Sequence, residues 1–133
     1  MSLDFYIFVP KEHYYTRENG STVAYPLEDG QYGEMHVGNI THNLNTIAEN
    51  VPVSDTLNLY KVLWRPDENN LLITDEIWPL VEEGIRYMLR HKKKLLKFNP
   101  DNGWGSYEGL LDFTRKVGAA CLFNPHCKVS VSR

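Results

Sequence analysis

The sequence has no long apolar run and very little cysteine. No stretch approaches the roughly 20 apolar residues that a helix needs to cross a bilayer, so no membrane span is expected. Met1–Pro10 has neither the basic start nor the apolar block of a secretory leader, which points to a cytoplasmic location. Two cysteines, Cys121 and Cys127, are too few for the bridged framework of a small secreted domain, and a reducing compartment is the expectation. Basic charge is not in excess: the net charge is −3, which argues against binding along an extended nucleic acid. A phosphate-binding G-x-x-x-x-G-K-[ST] loop, a G-x-G-x-x-G dinucleotide turn and a G-x-S-x-G nucleophile turn are all missing. What the chain does have is aromatic surface, with eight tyrosines and three tryptophans in 133 residues. Such rings give rigid area with a polar edge, and they suit recognition.

Over Ser2–Val9, Leu3, Phe5, Ile7 and Val9 alternate with Asp4, Tyr6 and Phe8. Period two predicts a strand, and its nearly continuous apolarity predicts a central one. Asn19-Gly20 between His13–Glu18 and Ser21–Tyr25 is a hairpin signal. A second turn, Asp29-Gly30, leads into a strand over Gln31–Val37. Tyr14, Tyr15, Tyr25 and Tyr32 gather in this region, either as half-buried strand packing or as a protruding partner-binding lobe. Past Gly38 the pattern becomes helical. Asn39 is placed to cap a short helix whose Ile40, Leu44, Ile47 and Ala48 share a face, ended by Pro52. Ser54 is placed to cap a second, carrying Leu57, Tyr60, Val62 and Leu63 and stopping at Trp64-Arg65-Pro66. The longest helix is expected over Asp75–Phe98, with Pro79 near its start and a basic end from Arg90 to Lys97. Ser106 caps a last helix, Asn124-Pro125 breaks it, and Cys127–Arg133 alternates as a final strand beside the first. The whole reads as one α+β domain, 1–133: an antiparallel sheet from the N-terminal strands and the C-terminal strand, covered by three to four helices. The tyrosine-rich hairpin is an insertion at about 11–37.

Candidate chemistry concentrates at two predicted helix starts. Asn99–Gly109 places Trp104 between Gly103 and Gly105, with Asn102 and Ser106 nearby. Thr41, His42 and Asn43 are mediocre helix formers in the first turn of the other helix, so propensity does not explain them. His42, Asn43, Arg65, Asn102, Trp104 and Tyr107 together offer a stacking ring, amide edges and a cation, the groups that hold a nucleotide-like or carboxylate ligand. Backbone amides at the helix starts would add an anion site. The alternative is a small hydrolase or transferase that uses His42 with Asp4, Asp101 or Glu108. Cys121, His126 and Cys127 form one loose cluster, without the paired ligand units of a zinc site, and neither metal nor cofactor is expected.

Several motifs recur together: M-S-L-D at Met1, N-I-T-H-N-L at Asn39–Leu44 and L-W-R-P at Leu63–Pro66. They continue with F-N-P-D-N-G-W-G-S-Y-E-G-L at Phe98–Leu110 and V-S-V-S-R at Val129–Arg133. In these the chain resembles a group of small uncharacterised proteins found in bacteria and their phages; residues Pro10–Val37 do not share the resemblance. The resemblance implies no particular activity. It implies a phage-type accessory or anti-defence setting inside a bacterial host. A non-enzymatic binding protein that sequesters a small nucleotide-like ligand or blocks a host protein is the expected function, with self-association an open option.

Overall fold

A computed structural model describes residues 1–10, 12–16, 18–20, 22–26 and 32–133; the side chains of 10, 12–16, 22–26 and 32 are outside that description. In chain order the elements are strands β1 (Ser2–Pro10), β2 (Glu12–Thr16), β3 (Thr22–Pro26) and β4 (Tyr32–Thr41), helices α1 (Asn45–Glu49), α2 (Leu59–Leu63), α3 (Thr74–Arg90), α4 (Lys92–Leu96) and α5 (Tyr107–Phe123), and strand β5 (Val129–Ser132). Single 3₁₀ turns lie at His42–Leu44 and Asp67–Asn69. The architecture is α+β. Among the described residues no helix is long and apolar enough to cross a membrane.

The alternation in β1 places Leu3, Phe5 and Ile7 fully out of water on one face. β1 is the middle strand of an antiparallel sheet in the order β4-β1-β5, the central position its apolarity anticipates. Its register pairs Ser2 with Thr41 and Phe5 with Gly38, then slips at a bulge so that Tyr6 faces His36. β2 and β3 pair as the expected hairpin across Asn19-Gly20. The Asp29-Gly30 turn and the side chains of Tyr14, Tyr15, Tyr25 and Tyr32 lie outside the described residues. α5 packs on β4 and β1 and lies along α3. The core between them is filled by Phe5, Trp64, Ile77, Met88, Leu110 and Val117.

Three boundaries differ from the sequence reading. β4 runs through Asn39 to Thr41, so Asn39 is a strand residue and caps nothing. Its amide donates to Asp4 Oδ1 and Ser2 Oγ, both at 2.9 Å, and cross-strand pairing outweighs its capping preference. α2 is capped by Asn58, which accepts from the Lys61 amide at 2.9 Å, while Ser54 Oγ closes a turn on the Leu57 amide. The long basic helix divides at His91, whose ψ of 31° leaves the helical range. That break lets Lys92 reach Glu108 on α5 at 3.0 Å while Leu95 remains buried. Apolar spacing continues through the break, so the sequence shows no sign of it.

Two consequences can be measured. Thr74 is fully buried, and its hydroxyl donates to the Asn124 carbonyl at 2.7 Å and accepts from the Cys127 amide at 3.2 Å. Thr74→Val keeps the shape but strands both backbone groups, so a loss of about 2 kcal/mol is expected in urea denaturation. Asp4 accepts from Asn39 and sits 2.9 Å from His36 Nε2, and these contacts, Asn39 first, hold its carboxyl below the usual carboxylate range. A depressed folded-state value contributes stability above the unfolded-state pKa of about 3.9, lost as pH falls through the lower folded value. Asp4→Asn is therefore expected to be less stable than the parent at neutral pH, with the gap closing on acidification below about pH 4.

Candidate functional site

The β1–β4 register brings distant parts of the chain together. Pairing Ser2 with Thr41 sets the first residue beside the end of β4, and the His42 amide donates to the Met1 carbonyl at 3.3 Å. Thr41 Oγ1 accepts from the Asn43 amide at 3.4 Å and starts the turn His42–Leu44. Opposite this tip, the segment between α4 and α5 is pinned at both ends. Asn99 Oδ1 accepts from the Tyr107 amide at 2.8 Å, and Ser106 Oγ accepts from the Gly109 amide at 3.2 Å. Between these anchors Asn102 Oδ1 accepts from the Trp104 amide at 3.0 Å, a side-chain turn that throws the indole outward. Gly103 and Gly105 both have positive φ, 75° and 90°. A Cβ on Gly105 would stand 2.7 Å from Thr41 Cγ2 and 3.0 Å from Leu44 Cγ, so the bend lies directly on the His42 tip.

Two adjoining hollows open along this seam. One, of about 510 Å³, lies between His42, Asn43 and Thr46 on one side and Pro100, Asp101 and Asn102 on the other. The second, of about 470 Å³, is bounded by Met1, Thr41, His42, Asn43, Asn102 and Trp104. Trp104 is 68% exposed, although local turn chemistry would as readily have folded it into the core. His42 lines both hollows, and its Nε2 is buried without a hydrogen-bond partner among the described residues. Of the six residues expected at a ligand site, four meet here: His42, Asn43, Asn102 and Trp104.

Arg65 and Tyr107 do not line the seam. Arg65 Nε donates to the Tyr60 hydroxyl at 3.2 Å, and its guanidinium lies 3.3 Å from Glu68. It belongs to a clasp in which Tyr60 stacks on the buried Trp64, ring centroids 5.6 Å apart. Tyr107 is a core residue, 1% exposed, and its hydroxyl donates to the Met88 carbonyl. Its place in the apolar stripe of α5, where Leu110, Leu111 and Thr114 follow it, accounts for that burial. Three of the amides an anion site at these helix starts would use, those of Asn43, Tyr107 and Gly109, have partners within the chain. Among the described residues, those lining the hollows include Asp101 and no lysine or arginine. What they offer is polar and planar rather than cationic.

The carboxylates named as partners for His42 are mostly committed. Asp4 is held by Asn39 and His36, and Glu108 by Lys92. Asp101 shares a hollow with His42, without an ion pair between them. Elsewhere, burial pushes the Cys121 thiol up to about 12, too high for a thiolate at neutral pH. His126 lies 2.5 Å from Asp75 through Nδ1, and no group of three or more His, Cys, Asp or Glu side chains able to hold a metal converges among the described residues.

Met1, Thr46 and Pro100 line the seam without having been singled out from the sequence. Met1 enters through strand register, which no local motif encodes. Thr41, noted with His42 and Asn43 as unexplained by helix propensity, lines the second hollow and caps the turn at His42. No protein family, curated protein or solved structure matches the chain.

Proposed function

We propose that the chain is a non-enzymatic binding protein, a phage-type accessory or anti-defence factor, whose binding surface is the seam between the His42 tip and the Trp104 bend. It takes a planar, hydrogen-bonding group, the base of a nucleotide-like ligand, and sequesters it. The observation that carries this reading is the 68% exposure of Trp104 at the edge of a hollow that also presents His42, Asn43 and Asn102. A large indole left in water forgoes burial worth a few kcal/mol, and a ligand stacked on it recovers that area. Asn side chains and an imidazole supply the donors and acceptors that a base edge needs.

Among the described residues the lining has Asp101 and no lysine or arginine, which favours the base over the phosphate. Adenosine and adenosine monophosphate are therefore expected to bind with comparable affinity in calorimetry. A clear gain from the phosphate would mean that the binding surface lies elsewhere. Blockade of a host protein is the second binding mode, supported by the same indole, since tryptophan is enriched among residues that dominate protein interfaces. The hydrolase or transferase reading rests on His42 and Asp101 sharing a hollow, and the missing ion pair between them leaves it the weaker.

Native mass spectrometry of protein purified from bacterial cells separates these readings. A small mass retained by the parent and absent from Trp104→Ala supports sequestration. A retained protein supports blockade. An empty parent that also fails to bind nucleosides would remove both.

A further inference from the structure

α5 has two faces of different kinds. Its inner side buries Leu110, Val117 and Cys121. Its outer side carries Arg115, Ala119, Leu122 and Phe123, spaced to share one stripe. Leu122 and Phe123 are 53% and 80% exposed. Adjacent large apolar side chains in water at a helix end are characteristic of an interaction surface. Beside them a groove of about 310 Å³ runs between α3 and α5, walled by Trp78, Ile85, Gly118 and Leu122, with Glu82 and Arg115 at its rim. Knob and groove therefore adjoin each other.

We infer that this face binds a second copy of the chain in a two-fold dimer, with the two α5 helices antiparallel and crossing at Ala119. Helical spacing then sets Arg115 of each copy over Phe123 of the other, a guanidinium on an aromatic ring. Charge favours the same arrangement. α5 has no cation in its own last turn; its Ala120 and Cys121 carbonyls are met by the neutral Asn124, so the negative end of its dipole has capping bonds but no positive charge of its own. Arg115 and Lys116, neither in an ion pair among the described residues, supply that charge from the opposite copy. Gly118 lies against Val81 and Ile85, so the level of Arg115 and Gly118 is where Leu122 of the second copy would enter the groove and meet Ile85. Ala119, small and exposed at the crossing, allows close approach of the helices. A foreign partner could fill the groove or cover the knob, but a second copy does both at once. The contact is isologous and closes at two copies.

Sedimentation of the full chain at about 100 µM, a concentration suited to a modest interface, is expected to show a dimer. Leu122→Lys and Phe123→Lys suit the isolated helix end and repel Arg115 of the second copy. Each is expected to weaken association at least about tenfold while leaving the circular dichroism unchanged. Ala119→Cys under mild oxidation is expected to give a disulfide-linked dimer, and Arg115→Glu to weaken association should either lysine variant fail to fold. A parent that sediments as a monomer, a dimer that survives these substitutions, or an Ala119→Cys chain that does not cross-link would each overturn the inference.

Discussion

Gly105→Ala is expected to lower stability by about 3 kcal/mol, and Gly103→Ala by about 1 kcal/mol, although the two glycines flank the same tryptophan. Both have positive φ, and that conformation alone costs an L-residue about 1–2 kcal/mol. The difference lies in what surrounds them. A Cβ at Gly103 meets nothing within 4 Å, whereas at Gly105 it meets Thr41 Cγ2 at 2.7 Å and Leu44 Cγ at 3.0 Å. Thr41 ends a strand and Leu44 is core, so neither can swing aside as the end of a long surface side chain could. The bend must lift off the His42 tip, which widens the seam and carries Trp104 with it. Urea denaturation of the two variants checks the ordering. Equal losses would mean that the bend does not rest on the tip.

Trp104→Ala is expected to behave in the opposite way, with stability nearly unchanged and binding reduced by roughly a tenfold to a hundredfold factor. A base stacked on an aromatic side chain is worth about 1–3 kcal/mol by alanine substitution. Because the indole is 68% exposed, its removal opens no core cavity. Trp64→Ala provides the contrast. That ring is 1% exposed and stacked on Tyr60, so its loss should cost about 3–5 kcal/mol of stability. Calorimetry with adenosine beside thermal melts of both variants separates the two roles. A collapse of stability in Trp104→Ala with binding per folded molecule intact would make Trp104 a structural residue.

The parts of the fold legible in the sequence are those in which local pattern and tertiary context agree. Period two in Ser2–Val9 gave a strand, and its lack of a polar face gave a central one. Asn19-Gly20 gave the hairpin, and Ser106 gave the start of α5, because each acts through bonds a few residues long. The misread positions are those where a distant partner decides. Asn39 is a good cap, but Asp4 and Ser2 across the sheet take its amide. His91 breaks a helix whose apolar spacing continues past it, and beyond the break Lys92 meets Glu108 on another helix. The same division runs through the candidate site. Asn102, Gly103 and Gly105 were readable as a sharp bend carrying Trp104. Tyr107, one turn further on, could not be separated from them by residue type, and only its position in the stripe of α5 marks it as core. Arg65 looked available because a guanidinium's partners, here Tyr60 and Glu68, are not fixed by composition. That the His42 tip and the Trp104 bend meet depends on the Ser2–Thr41 register and on the packing of Gly105, and neither has a local signature.

The most direct test of the proposed binding surface is an amide and indole NMR titration of the full chain with adenosine. The expected result is a saturable shift of the Trp104 indole signal together with the His42, Asn43 and Asn102 amides, while the buried Trp64 indole stays still. Shifts confined to other parts of the molecule, or none at millimolar adenosine, would contradict the assignment of this seam as a base-binding surface.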